Sequence, residues 1–185
     1  VTTIGDIIYE ELPAFMARSG KKTLRVLEVG VLRNLDQEHL DGDGHSTLAF
    51  ARLLSRHPGS EYVGIDLDPS EARAAVDAEG LGGFCTFHAG DSVRTMQDLV
   101  VHGERFDVVY LDADNSGSAT MREYLLAEDL VTSPGLIMGD DMNTDHAEVR
   151  KGRVLIPYLR EEGANFKLLK RDTPWDTRDI LVQEI

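Results

Sequence analysis

Apolar residues along this chain change period repeatedly, and the changes mark out the elements. Residues 4–18 (IGDIIYEELPAFMAR) carry apolar side chains at helical spacing, with Pro13 expected to bend or split the helix. Thr23 to Gly30 is a β-branched, apolar run closed by glycine and reads as a buried strand. The polar, turn-rich piece VLRNLDQEHLDGDG follows. Ser46 and Thr47 are then expected to cap a helix with apolar Leu48, Phe50, Ala51, Leu53 and Leu54, which Pro58-Gly59 stops. Glu61 to Asp66 is the second strand, and a helix initiated by Pro69 runs to about Ala78.

The same alternation continues. Strands are expected at Phe84–Ala89, Phe106–Leu111 and Leu136–Gly139, the last after a Pro134-Gly135 turn. Helices are expected at Ser92–Val101, Thr120–Leu130 and His146–Glu162, the last interrupted near Pro157. Phe166–Lys170 and Ile180–Glu184 alternate enough to form an antiparallel pair. Strands alternating with helices and followed by two terminal strands predict an α/β fold. Its form is a doubly wound, mostly parallel seven-stranded sheet with one antiparallel strand near an edge.

Parallel strands share one C-terminal edge, where such folds bind ligands. Five runs here reach that edge with an acid: Glu28, Asp66, Asp91, Asp112 and the pair Asp140-Asp141. That many carboxylates suit a ligand rich in hydroxyls and amines, with a metal, better than a dinucleotide diphosphate.

Composition narrows this reading. The 185 residues fit one domain, 1–185, with an N-terminal helical segment at 1–22. The single Cys85 excludes an internal disulfide and fits a reducing, cytoplasmic setting. No apolar stretch approaches a membrane span, and the start VTTIGDIIYEE lacks the pattern of a signal peptide. Without an initiator Met, it reads as a trimmed N-terminus. Nineteen basic against 33 acidic residues give a net charge of −14, with no dense basic patch, which argues against nucleic acid as a partner. A G-x-G-x-x-G turn after the first strand and a Tyr-x-x-x-Lys pair are both missing, which disfavours a nicotinamide oxidoreductase.

The succession VLEVG…GHST, VGIDLDP, HAGDS, FDVVYLDAD and PGLIMGDD, over residues 23–143, resembles the class I S-adenosylmethionine-dependent methyltransferases. Within them it is most similar to metal-dependent small-molecule O-methyltransferases of the catechol and macrolide-sugar kind. The resemblance implies a Rossmann-like methyltransferase fold and methyl transfer to a hydroxyl of a natural product or sugar derivative. It implies cofactor contacts from Glu28, Gly30, Ser46, Asp66, Asp91, Ser92 and Asp112. Asp66 would accept both ribose hydroxyls, Asp91 the adenine amine, and the helix opening at Ser46 would receive the methionine carboxylate. Asp112, Asp140 and Asp141 would hold Mg²⁺ or another divalent cation, since adjacent uncompensated carboxylates repel and hard cations take oxygen ligands.

The resemblance has gaps. The lysine of the catechol-type enzymes, three residues after the first metal acid, is here Asn115, an amide that cannot act as a base. Asp112 itself and His146 are the remaining base candidates. Residues 31–43 are an insertion where relatives make a short glycine-rich turn. Little chain precedes the first strand, so a homodimer partner is one way to complete the substrate pocket, and Trp175 is a candidate for lining it. The insertion keeps open a second reading, a methyltransferase-like domain that binds cofactor or a partner without transferring methyl groups.

Overall fold

A computed structural model describes residues 2–35 and 45–185. Residues 36–43 of the inserted loop lie outside the described residues. Helix α1 (Ile4–Ser19) leads into β1 (Arg25–Val29), followed by α2 (Ser46–Leu54), β2 (Glu61–Asp66), α3 (Ser70–Ala78) and β3 (Cys85–Ala89). Then come α4 (Ser92–Val101), β4 (Phe106–Leu111), α5 (Gly117–Leu130), β5 (Val131–Gly139), α6 (Lys151–Glu161), β6 (Phe166–Asp172) and β7 (Thr177–Glu184).

The seven strands form one sheet in the order β3-β2-β1-β4-β5-β7-β6. Strands β1 to β5 pair in parallel, while β7 is antiparallel to both β5 and β6. The reversed strand therefore lies one place in from the edge. Chain order reverses direction across the sheet between β1 and β4, and a doubly wound fold opens its ligand crevice at that switch.

Alternation along the strands sends side chains to two cores. Val26, Tyr62, Val108, Tyr110 and Met138 pack beneath α1 and α2. Leu27, Val63, Val109, Leu111 and Ile137 pack beneath α4, α5 and α6. No helix among the described residues is long and apolar enough to cross a membrane.

Beyond shifts of a few residues at several element ends, three departures from expectation have a clear physical cause. Pro13 does not split α1, because it sits on the exposed face while Ile4, Ile8, Leu12 and Phe15 hold the other face against the sheet. A carbonyl left without its N–H partner on that face can turn to solvent. The register between β4 and β5 slips between Phe106 and Val108, so Pro134 and Gly135 fall within a bulge of a longer β5 rather than in a turn before it.

The third difference is that α6 starts at Lys151, not at His146. The segment before it is tied down as a loop, with Met142 N–H donating to the Asp179 carbonyl at 2.7 Å and Arg150 N–H to the Asn115 carbonyl at 2.8 Å. Gly152 lies so close to the Met142 carbonyl that a Cβ would meet its oxygen at 1.9 Å. Pro157 is accommodated inside α6.

Candidate functional site

The β1–β4 switch is built around a glycine. Gly30 has φ +87°, and a Cβ there would lie 2.5 Å from the Asp112 carbonyl carbon and oxygen and 2.6 Å from the Ala113 nitrogen. The close approach that requires this glycine is thus to the protein's own β4 backbone. Asp112 N–H donates to the Val29 carbonyl at 2.7 Å, which carries the strand pairing one step past the strand ends.

Glu28 does a different job from the one expected. It is fully buried, and both its oxygens are taken by hydroxyls: Ser46 donates at 2.5 Å, Thr47 at 2.8 Å, and Tyr62 donates to the same oxygen as Thr47. Its two oxygens are held by these three hydroxyls inside the protein, so Glu28 is a clamp that positions the opening of α2. Burial pushes its carboxyl up to about 7, against the opposing pull of the Ser46, Tyr62 and Thr47 hydroxyls. Ser46 and Thr47 consequently do not cap α2. His45 is the N-cap, in the left-handed region at φ 47°, with no side-chain capping bond. Thr47 also accepts from Leu32 N–H at 3.0 Å, fastening the strand exit to the helix.

Beside this opening lies a cavity of about 630 Å³ lined by Gly30, His45, Ser46, Asp112, Asp140 and Arg171, among others. A second cavity of about 470 Å³ is lined by Asp66, Leu67, Gly90, Asp91 and Ser92. Both have Arg33, Ala113 and Asp114 in their walls, so they form one trough along the strand ends. Asp66 accepts from Val31 N–H and Asp68 N–H, each at 3.1 Å. Asp91 caps α4 by accepting from Arg94 N–H at 2.9 Å. Replacing it with alanine is expected to lower stability by about 1 kcal/mol, and with serine to restore it; urea melts of the two variants check this. Ser92 donates its hydroxyl to Glu123 at 2.5 Å and so is turned towards α5.

Asp112, Asp140 and Asp141 line the larger cavity together, but they are compensated, which overturns the premise of the metal expectation. The Lys151 ammonium lies 2.5 Å from Asp112 Oδ1, and its side chain is 2 % exposed. Arg171, 5 % exposed, stands 3.2 Å from Asp140 and 3.4 Å from Asp141, and Arg178 lies 3.5 Å from Asp141. Burial pulls the Lys151 pKa down, yet the carboxylates of Asp112, Asp141 and Asp140 outweigh it and raise it overall. Arg171 is likewise held charged, with Asp140 overcoming its burial. Among the described residues, no group of three or more His, Cys, Asp or Glu is placed to hold a metal ion. The donor set therefore does not fit a divalent cation in this arrangement.

His146 is not placed for base chemistry. Its Nδ1 accepts from Val149 N–H at 2.9 Å and Glu148 N–H at 3.2 Å, and its Nε2 faces Asp176 at 3.4 Å. It organises the loop before α6 and is not among the residues lining the trough. Trp175 is exposed in the turn between β6 and β7, also away from the lining. Sequence reasoning missed Lys151 and Arg171. Each sits among neighbouring basic residues (Arg150-Lys151-Arg153 and Lys170-Arg171) that look like a solvated surface.

Known proteins can be set against this geometry. The O-methyltransferase from Bacillus cereus in complex with SAH superposes with a TM-score of 0.71 at 17% identity, over 98% of this chain and 80% of that one. The O-methyltransferase TomG from Streptomyces achromogenes, in complex with SAM, gives 0.70 at 18% identity over 98% and 78%. The putative O-methyltransferase from Klebsiella pneumoniae gives 0.69 at 19% over 93% and 78%. At such identities the likeness is one of fold. No curated protein matches the chain. A family described as "Methyltransferase domain" matches residues 42–142, from the approach to α2 to the end of the Asp140-Asp141 loop. With more than half its length inside that match, and with the doubly wound sheet and the strand-end trough described above, this chain belongs to the methyltransferase-domain family.

Proposed function

We propose that this chain transfers a methyl group from S-adenosylmethionine to a hydroxyl of a polar small molecule. The observation that carries the reading is the trough, two cavities sharing a wall at the β1–β4 switch, with Asp66 in one and Asp112 in the other. Their sizes are those of small-molecule sites. When bound, S-adenosylmethionine supplies a methyl group on a sulfonium, already activated for displacement by oxygen.

The residues of the trough fit such a ligand. Asp66 is held in place by two backbone N–H groups and offers a carboxylate suited to a ribose diol. Leu67, next to it, is 78 % exposed and offers apolar cover to a flat base. The start of α2 at Ser46 lies on the cavity and turns a positive dipole end towards a carboxylate.

Asp112 is the proton acceptor in this reading. Its Oδ1 is held by Lys151, and its side chain remains 26 % exposed on the cavity. Holding an acceptor hydroxyl against its second oxygen is mainly a matter of orientation. Apart from His45, the cavity's described lining holds no aromatic residue and many charged or amide groups, Arg33, Asn34, Asn115 and Arg150 included. That lining suits a polyol or amine-bearing acceptor better than a flat phenol.

Calorimetric titration with S-adenosylmethionine and S-adenosylhomocysteine tests the reading. Wild-type protein is expected to bind both at micromolar concentrations. Asp66→Asn is expected to lose at least about tenfold in affinity, roughly 1.4 kcal/mol, alongside a modest drop in melting temperature from the one backbone N–H that the amide cannot accept. Failure of the wild-type protein to bind either compound overturns the proposal.

A further inference from the structure

We propose that this chain has built its own cations into the place where a divalent metal was expected, and that its site works without one. The inference deepens the reading above and rests on it for the reaction, but its central observation stands apart. Three acids meet at the cavity floor, Asp112, Asp140 and Asp141, and three cations meet them, Lys151, Arg171 and Arg178.

The placement of the cations matters more than their number. Lys151 opens α6 and points its ammonium back at Asp112 from a position that is almost wholly buried. Its loop is fixed on both sides, by Arg150 N–H on the Asn115 carbonyl and by Gly152 against Met142. Arg171 comes from β6, at the far edge of the sheet, and reaches both carboxylates after β5. A surface ion pair would do little here, since exposed pairs are weak and easily exchanged. A buried ammonium 2.5 Å from a carboxylate oxygen is different, because a second cation arriving at Asp112 would meet a fixed positive charge at contact distance.

Lys151 is thereby a positioning residue. It fixes one oxygen of Asp112 and leaves the other to receive the acceptor's proton. Atoms balance without a further reactant. The acceptor oxygen bonds to the methyl carbon, the carbon–sulfur bond breaks with its pair left on sulfur, and the proton passes to Asp112 and then to solvent.

Titration with Mn²⁺, followed by the loss of the free-ion electron paramagnetic resonance signal, reads this directly and needs neither substrate nor turnover. Wild-type protein is expected to show no binding below millimolar Mn²⁺, with or without S-adenosylhomocysteine. Lys151→Ala, which uncovers Asp112, is expected to bind Mn²⁺ at least about tenfold more tightly than wild type, because one contact charge has been removed. Its melting temperature should rise on adding Mn²⁺, while that of wild type stays put.

Stoichiometric submillimolar binding by the wild-type protein, lost in Asp112→Asn, overturns the proposal. Should Lys151→Ala fail to fold, the wild-type titration still decides. If S-adenosylhomocysteine does not bind, the methyltransfer reading falls, while the Mn²⁺ result continues to report on the ion-paired floor by itself.

Discussion

Gly30→Ala is expected to destabilise this protein by about 3 kcal/mol or more and to abolish cofactor binding in whatever fraction still folds. Two separate effects add at this position. A left-handed backbone at φ +87° costs an L-residue about 1–2 kcal/mol. The new methyl would also sit 2.5 Å from the Asp112 carbonyl and 2.6 Å from the Ala113 nitrogen, and these are backbone atoms that cannot rotate away. Relief would require β1 and β4 to part where Asp112 N–H pairs with the Val29 carbonyl, which is the floor of the trough.

Gly20 separates the two effects. It caps α1 at φ +74°, and a Cβ added there would meet nothing within 4 Å, so Gly20→Ala should cost only the backbone part, about 1 kcal/mol. Urea unfolding of both variants, together with titration of each by S-adenosylhomocysteine, checks the comparison. Equal destabilisation of the two would mean that the β1–β4 approach carries no strain.

The strands are legible in the sequence because each is a short apolar run ending at a glycine or an acid. Glu61–Asp66 and Phe106–Leu111 agree with the structure to the residue, and the reversed β7 follows from the two alternating terminal runs. The acids of the strand ends are legible as a group for the same reason. Their partners are not. Lys151 meets Asp112 across 39 positions and Arg171 meets Asp141 across 30, and no local period encodes such pairings.

Glu28 shows the same limit from another side. An acid ending a strand looks available to a ligand. Whether Ser46, Thr47 and Tyr62 turn their hydroxyls onto it depends on how α2 and β2 pack around β1. Pro13 and the start of α6 depart from expectation because local rules cannot tell an exposed helix face from a buried one, or see Met142 and Arg150 bonded to distant carbonyls.

The clamp at Glu28 gives the second large effect, and its sign can be worked out. In the unfolded chain this carboxyl titrates near its ordinary 4.5, and in the folded protein near 7, because burial disfavours the charged form. Between those values the folded state holds a proton that the unfolded state has released, so stability must fall as pH rises. The contribution is fully present below about pH 4.5, declines through the interval and levels off above about 7.

A separation of this size corresponds to about 3 kcal/mol. Glu28→Gln removes the ionisation while keeping the shape. The stability of wild type minus that of Glu28→Gln, measured by urea melts from pH 4 to pH 8, is expected to drop by about that amount across the interval. Parallel curves would show that Glu28 titrates alike in the folded and unfolded chain, its three hydroxyl bonds just offsetting its burial. An acid is nonetheless retained at this position because two carboxylate oxygens can accept from Ser46, Thr47 and Tyr62 together. A glutamine offers one carbonyl oxygen and an N–H₂ group that only donates. The fold thus tolerates a buried acid at neutral pH to keep the opening of α2 in place beside the cavity.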